Sequence, residues 1–290
     1  MHQNANRASV TTLQPMPDER NEPESDSGLI FDVGLHTGED SEYYLKKGFR
    51  VVAVEALSKL CDIASQRLRS YVESGQLVIV NAAIAESDGP ITFYENQQNS
   101  LWGTTRPEIA QTFAYLGAVS TEIMVEGVTF SSLLRRFGIP YYLKIDIEGS
   151  DLLCLESLLQ FKSRPKFVSI ESNKTSWSEL LREFELLTAL GYSRFKLFNQ
   201  RHAWRLPCPW PAREGTYIDF RFAYGSTGLF GDETPGPWFT RGEVLKKYKR
   251  VFLKYRLIGD RGLFSQFELG RKFQRFADIG AGWYDTHAAL

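Results

Sequence analysis

Leu29-Ile30-Phe31-Asp32-Val33-Gly34-Leu35-His36-Thr37-Gly38 is the stretch that decides the fold. A compact apolar strand runs into a glycine turn, and Glu39 to Lys47 then reads as a helix stopped at Gly48. A strand without a polar face belongs in a sheet covered on both sides. The same unit recurs downstream. Arg50 to Glu55 is a second strand, followed by a helix with Leu60, Ile63, Ala64, Leu68 and Val72 on one stripe. Leu77 to Val80 is a third strand.

Further on, a hairpin is expected around Ser87-Asp88-Gly89-Pro90, and Asn96 to Thr121 reads as a long loop. Helices are then expected at Ser131 to Phe137, Asp151 to Gln160 and Ser178 to Leu190. Strands are expected at Tyr141 to Ile147, Lys166 to Ile170, Tyr192 to Phe198 and Tyr217 to Ala223. The alternation predicts an α/β fold with a doubly wound, mostly parallel seven-stranded sheet. Past Gly225 the rhythm stops. A helix from about Glu243 to Leu257 puts Val244, Tyr248, Val251, Phe252 and Tyr255 on one face, and an aromatic tail ends the chain. The expected organisation is a polar, disordered tail over 1–28, one domain over 29–226, and a helical and aromatic extension over 227–290 packed on it.

Hydrophobic residues make up 43% of the 290, enough for a large core. The formal charge of −1 gives no overall field towards nucleic acid or an anionic membrane, although the stretch from Arg241 to Lys272 is locally basic. Cys61, Cys154 and Cys208 stand far apart, without the spacing of a zinc site or a disulfide framework. No apolar run reaches bilayer length and no signal-peptide pattern is present, so a cytoplasmic protein is expected.

Two segments carry chemistry. The turn Asp32-x-Gly34-x-x-x-Gly38 opens a helix whose N-terminus favours negative groups, and its glycines are expected to let a ligand approach the backbone. Glu55, ending the second strand, is placed to accept ribose hydroxyls. Dinucleotide sites use G-x-G-x-x-G, whereas this spacing favours S-adenosylmethionine; a purely structural turn is the bland alternative. The second segment, Lys144-Ile145-Asp146-Ile147-Glu148-Gly149-Ser150-Asp151, clusters acids at a strand end beside the switch point where ligands bind. Dipole decoration of a helix N-terminus explains Asp151 well and Asp146 poorly.

As an ordered set, Asp32 to Gly38, Glu55, Asn81-Ala82-Ala83, Lys144 to Gly149 and Glu171 resemble the FkbM family of class I methyltransferases, over about Leu29 to Glu171. The resemblance implies a Rossmann-like methyltransferase fold and S-adenosyl-L-methionine as cofactor. It implies that Asp32, Gly34, Glu55, Asn81 and Ala82 line the donor pocket and that Asp146 and Glu148 face the reacting groups; His36, Thr37, Gly38, Ala56 and Asp146 complete the expected donor-binding set. This chain departs from the family at Leu35-His36-Thr37, and nothing after Gln200 follows a family pattern.

Methyl transfer needs alignment and no covalent nucleophile, with a base where the acceptor is an alcohol. Asp146, Glu148, Glu171 and His36 are the candidate catalytic residues, and His202 is a weaker one. Asp146, Glu171 and Asn173 carry the oxygen ligands of a Mg²⁺ site, but hydrogen bonding to loops and donor is the favoured reading, and no metal is expected. Trp102, Tyr115, Trp204 and Trp210 are candidate acceptor walls. The implied partner is a small-molecule acceptor, a sugar or natural product, with a homodimer left open and no nucleic acid or membrane span expected. N-methylation is the alternative reaction, and a non-catalytic nucleotide-binding or scaffold protein of the same fold the alternative function.

Overall fold

A computed structural model describes residues 22–115, 117–259 and 282–290. Residues 1–21 of the tail expected over 1–28, the segment 260–281 and the side chain of His202 lie outside the described residues. The chain forms two compact units that divide between Pro165 and Lys166.

The first unit contains β1 (Ser25–Val33), α1 (Glu39–Lys46), β2 (Arg50–Glu55), α2 (Ser58–Arg67), α3 (Arg69–Glu73), β3 (Leu77–Asn81), β4 (Ala83–Ile84) and β5 (Gly89–Asn96). It continues with α4 (Pro107–Tyr115), β6 (Ser120–Val128), α5 (Phe130–Phe137), β7 (Ile139–Ile145) and α6 (Asp151–Leu158). Its main-sheet strands run β3-β2-β1-β7, all parallel, with Phe31 opposite both Val52 and Leu143. Leu29 to Val33 are fully buried, as an apolar central strand requires. Phe31 meets Phe130 edge-on at 5.7 Å, and Tyr44 meets Tyr142 in the same way at 5.7 Å. A small second sheet, β4-β6-β5, places Ile91, Ile123 and Val125 against Leu57, Leu60, Ala83 and Phe93.

The second unit contains β8 (Phe167–Glu171), α7 (Trp177–Ala189), β9 (Arg194–Asn199), α8 (Arg241–Ile258) and β10 (Tyr284–Ala289). Its strands run β8-β10-β9, with β10 antiparallel to both neighbours and Thr286 opposite Ile170 and Leu197. The main sheet is thus mostly parallel, with seven strands, as expected. Helix α8 starts in a capping box between Thr240 and Glu243 and buries Val244, Tyr248 and Val251.

Several sequence expectations need correction. Strand β1 begins at Ser25, four residues before Leu29, because Ser25 pairs with Ile139. Strand β4 does not pair with β5 as a hairpin at Ser87–Pro90; β5 pairs antiparallel with β6, and β4 runs parallel to β6. Asn96 to Thr121 contains α4 and the start of β6. Tyr217 to Ala223 is not a strand; the seventh strand is β10, at the far end of the chain, so the C-terminal extension is partly sheet.

Candidate active site

The turn after β1 is set by backbone pairing. Gly34 and Leu35 both donate to the Val54 carbonyl at 3.0 Å, and the Asp146 amide donates to the Val33 carbonyl at 2.9 Å. Gly34 has φ 95°, and a Cβ there would collide with the Asp146 carbonyl oxygen. Gly38, at φ 87°, makes room for the Leu68 side chain. Both glycines are therefore needed by the chain's own packing.

Beneath the turn is a buried charge cluster. Lys144 Nζ donates to Asp32 Oδ1 and to the Gly34 carbonyl, each at 2.9 Å, and lies 3.7 Å from Asp40 Oδ2. Ser41 Oγ donates to Asp32 Oδ2 at 2.7 Å. Burial alone would push the Lys144 ammonium down, but the carboxylates of Asp32, Asp40 and Asp146 hold it above its ordinary value. Asp32 is 0% exposed with both oxygens engaged, so it fixes the turn from below rather than lining an open pocket.

Glu55 ends β2 half-buried. Its Oε2 accepts the His36 amide at 3.0 Å and its Oε1 the Leu57 amide at 2.9 Å. A carboxylate has about four acceptor positions, so these bonds leave a lone pair on each oxygen for a pair of hydroxyls. Burial pushes the Glu55 carboxyl above its ordinary value, with the His36 and Leu57 amides opposing. Asn81 donates to the Glu55 and Ala56 carbonyls at 2.9 and 3.0 Å and accepts from Ser58 Oγ at 2.6 Å, tying the ends of β2 and β3 together. Ala82 is buried beside it, and Ala56 is partly open.

His36 and Glu148 are the only non-glycine residues with positive φ among those described, at 52° and 48°. Such backbone costs about 1–3 kcal/mol and clusters at functional sites. The two lie in the two turns that carry the motifs. The His36 ring reaches Glu39 Oε2 at 3.4 Å through Nδ1 and Ser100 Oγ at 2.9 Å through Nε2. Burial pushes the Glu39 carboxyl up, but the hydrogen bonds from His36 and Thr37 bring it down to about 2.

The acid turn after β7 holds Asp146 and Glu148 half-exposed. Asp151 closes it, accepting the amides of Ile147 at 3.2 Å and Gly149 at 2.8 Å. The segment before α4 is fastened to this turn. Thr104 Oγ1 donates to the Glu148 carbonyl at 2.7 Å, Thr105 and Ser150 hydroxyls meet at 2.6 Å, and Arg106 Nη1 donates to the Gly149 carbonyl at 3.2 Å. Sequence reasoning missed Ser100, Thr104 and Arg106; the length of the 96–121 stretch was the one signal pointing to them. Trp102 stacks on Phe113 with centroids 4.9 Å apart, and Tyr115 is exposed.

Within the first unit, then, the carboxyl ends of β3, β2, β1 and β7 bring together Asn81, Glu55, the 34–38 turn and Asp146. Glu171 belongs to the second unit, where it pairs with Lys174. Asn173 Oδ1 accepts the amides of Thr175 and Ser176 at 2.8 and 2.6 Å, so its oxygen shapes the entry to α7. His287 is buried against Phe198, and burial together with Lys196 pushes it down to about 3. Burial pushes the Cys61 thiol up to about 12 and the Cys154 thiol up as well, which makes both poor nucleophiles.

A model of the methyltransferase FkbM domain matches residues 32–194, more than half of the chain. No curated protein matches it. Among solved structures, the chain is similar to a precorrin-6y C5,15-methyltransferase from Geobacter metallireducens at 14% identity, covering 60% of this chain and 68% of that one, with a TM-score of 0.35. It is also similar to phosphoethanolamine N-methyltransferase 2 of Haemonchus contortus, solved with S-adenosyl-L-methionine, at 11% identity, 92% and 49% coverage and a TM-score of 0.36. A third similar structure, StiE O-MT residues 961–1257, shows 9% identity, 90% and 67% coverage and a TM-score of 0.37. Likenesses this distant lend no residue a role. The family match, with its motifs in order along the sheet, is sufficient: the chain belongs to the FkbM family of S-adenosylmethionine-dependent methyltransferases.

Proposed function

We propose that the chain methylates a hydroxyl group of a small molecule, a sugar or a natural product, in the cytoplasm. The observation that carries this reading is the pair of carboxylates, Asp146 and Glu148, in the half-exposed turn after β7. An alcohol must lose a proton as its oxygen is alkylated, and a carboxylate at that place can take it. An amine attacks through a neutral lone pair and has less need of such a base. Cys61, Cys154 and Cys208 carry thiols rather than disulfides, in keeping with a reducing compartment.

The residues present fit the methyl donor, because Glu55 keeps a lone pair on each oxygen after its two backbone bonds. When bound, S-adenosylmethionine supplies an electrophilic methyl group on a sulfonium. Glu55 holds the ribose, the 34–38 turn and the Asn81–Ala82 stretch shape the adjoining walls, and Asp146 faces the reacting groups. Asp146 orients the acceptor hydroxyl and receives its proton, with Glu148 in the same turn as the second carboxylate facing the reacting groups.

Incubation of candidate acceptors with isotopically labelled donor, followed by mass spectrometry, tests the reading. The label is expected on oxygen. A label on nitrogen or carbon overturns hydroxyl methylation and leaves the family assignment standing. Asp146→Asn is expected to lower turnover about 10²–10⁴-fold. Loss of donor affinity instead of turnover would show that Asp146 positions the donor.

A further inference from the structure

We infer that the outer face of α8 docks the protein on an anionic lipid surface. The helix buries Val244, Tyr248 and Val251 on one side. Lys246, Lys249, Arg250, Leu253 and Arg256 are its exposed side chains beyond the first turn. At 3.6 residues per turn they fall within an arc of about 120°, opposite the buried stripe. The face has four cations and no acid. Glu243, the single acid of the helix, is bound into the capping box at its start. No ion pair engages the four cations among the described residues.

Away from this face, the end of the helix is tied to an aromatic rim. Tyr255 donates to the Gly282 carbonyl, and Lys254 Nζ lies 3.3 Å from the Tyr284 hydroxyl. Between them Trp283 remains 43% exposed and meets Tyr224, 69% exposed, edge-on at 6.1 Å. Leu253, 59% exposed, is an apolar side chain set among the cations.

Two physical arguments converge on lipid. Clusters of four to eight Lys or Arg on a helix are attracted to anionic headgroups. Leu253 gains from acyl chains and nothing from a phosphate backbone, which favours a membrane over a nucleic acid. No helix among the described residues is long and apolar enough to cross a membrane, so this contact would be peripheral.

Co-sedimentation of the full chain with vesicles tests the proposal. Phosphatidylcholine vesicles containing phosphatidylserine should carry the protein down, and vesicles of phosphatidylcholine alone should not. Salt at about 0.5 M should release it, because the Debye length then falls well below that in physiological salt. Each charge near the surface is worth about fivefold in partitioning, so the combined Lys246→Gln, Lys249→Gln, Arg250→Gln and Arg256→Gln variant should bind at least a hundredfold more weakly. Its melting temperature and S-adenosylhomocysteine affinity should match the parent's, which separates this result from failure of the fold or of the methyltransferase reading. Leu253→Ser should weaken binding less and leave its salt dependence intact. Equal binding to neutral vesicles, unchanged binding by the quadruple variant, or tight binding to a single-stranded RNA with none to anionic vesicles would each overturn the proposal.

Discussion

Glu55 shows what one side chain does when burial and hydrogen bonding oppose each other. Burial pushes its carboxyl up while the amides of His36 and Leu57 favour the ionised form. A raised carboxyl takes up its proton at a higher pH than an ordinary glutamate. Protonation removes acceptor capacity for the ribose. Donor affinity should therefore fall as pH drops, starting above the ordinary glutamate range, and Glu55→Gln should flatten that dependence in titration calorimetry. Glu55→Ala should cost about 1.5–3 kcal/mol, at least tenfold in affinity, with the fold intact. Lys144 gives the opposite case, a residue whose loss is paid in stability. Removing one partner of a buried ion pair typically costs about 3–5 kcal/mol, so Lys144→Met should shift a urea midpoint sharply. Wild-type stability in Lys144→Met would show that Asp32 and Asp40 do not depend on the ammonium. The motif made Asp32 and Lys144 visible in the sequence, but not their pairing. Residues 112 apart in the chain meet only through the register of β1 and β7, where Asp32 lies opposite Lys144.

At the scale of elements, legibility followed the strength of the period. The apolar run of β1 and the 3.6-residue stripe of α8 stand out in the sequence. Tyr-Asp-Thr-His-Ala-Ala of β10 has neither a continuous apolar run nor a turn to announce it, yet all six residues are buried between two strands. Tyr217 to Ala223 misleads for the converse reason. Its alternation is real, with Ile218, Phe220 and Phe222 turned inward, but no neighbouring strand pairs with the backbone. Strand β10 is held by more than its ladder. Tyr248 Oη lies 2.9 Å from Ser172 Oγ and 2.7 Å from Thr286 Oγ1, and Ser172 donates to Glu183 at 2.9 Å. This buried hydroxyl cluster joins α8, β10 and the end of β8. Tyr248→Phe strips a partner from two buried hydroxyls, so a loss of about 1–3 kcal/mol is expected in chemical denaturation. Hydrogen exchange should show the loss first in the amides of β10. A variant as stable as the parent would mean that Ser172 and Thr286 satisfy each other without the tyrosine.

For the whole molecule, the net charge of −1 conceals an uneven distribution. From Lys166 onward there are 20 Lys or Arg against 13 acids, and the acids are concentrated in the first unit. The candidate donor residues from Asp32 to Asp146 all lie in that first, acidic unit, whereas the basic helix and the aromatic rim lie in the second. This division makes a prediction about ligand protection. A ligand that binds only the native state stabilises it by about 2.7 kcal/mol at a hundred times its dissociation constant. Amides that exchange through global unfolding should slow in both units, since they report that total. Amides that exchange through local opening should slow only where the ligand touches. With S-adenosylhomocysteine present, locally exchanging amides at Leu35, His36, Leu57 and Asp146 should gain protection, while those at the end of α8 and in the 200–215 stretch should not change. The His36 and Leu57 amides are the most telling, because both donate to Glu55 and can open only when that carboxylate lets go. Protection confined to the second unit would move the donor site away from the motifs. Protection at Glu55 that vanishes in Glu55→Ala, with the rest of the first unit unchanged, would tie it to the ribose contact itself.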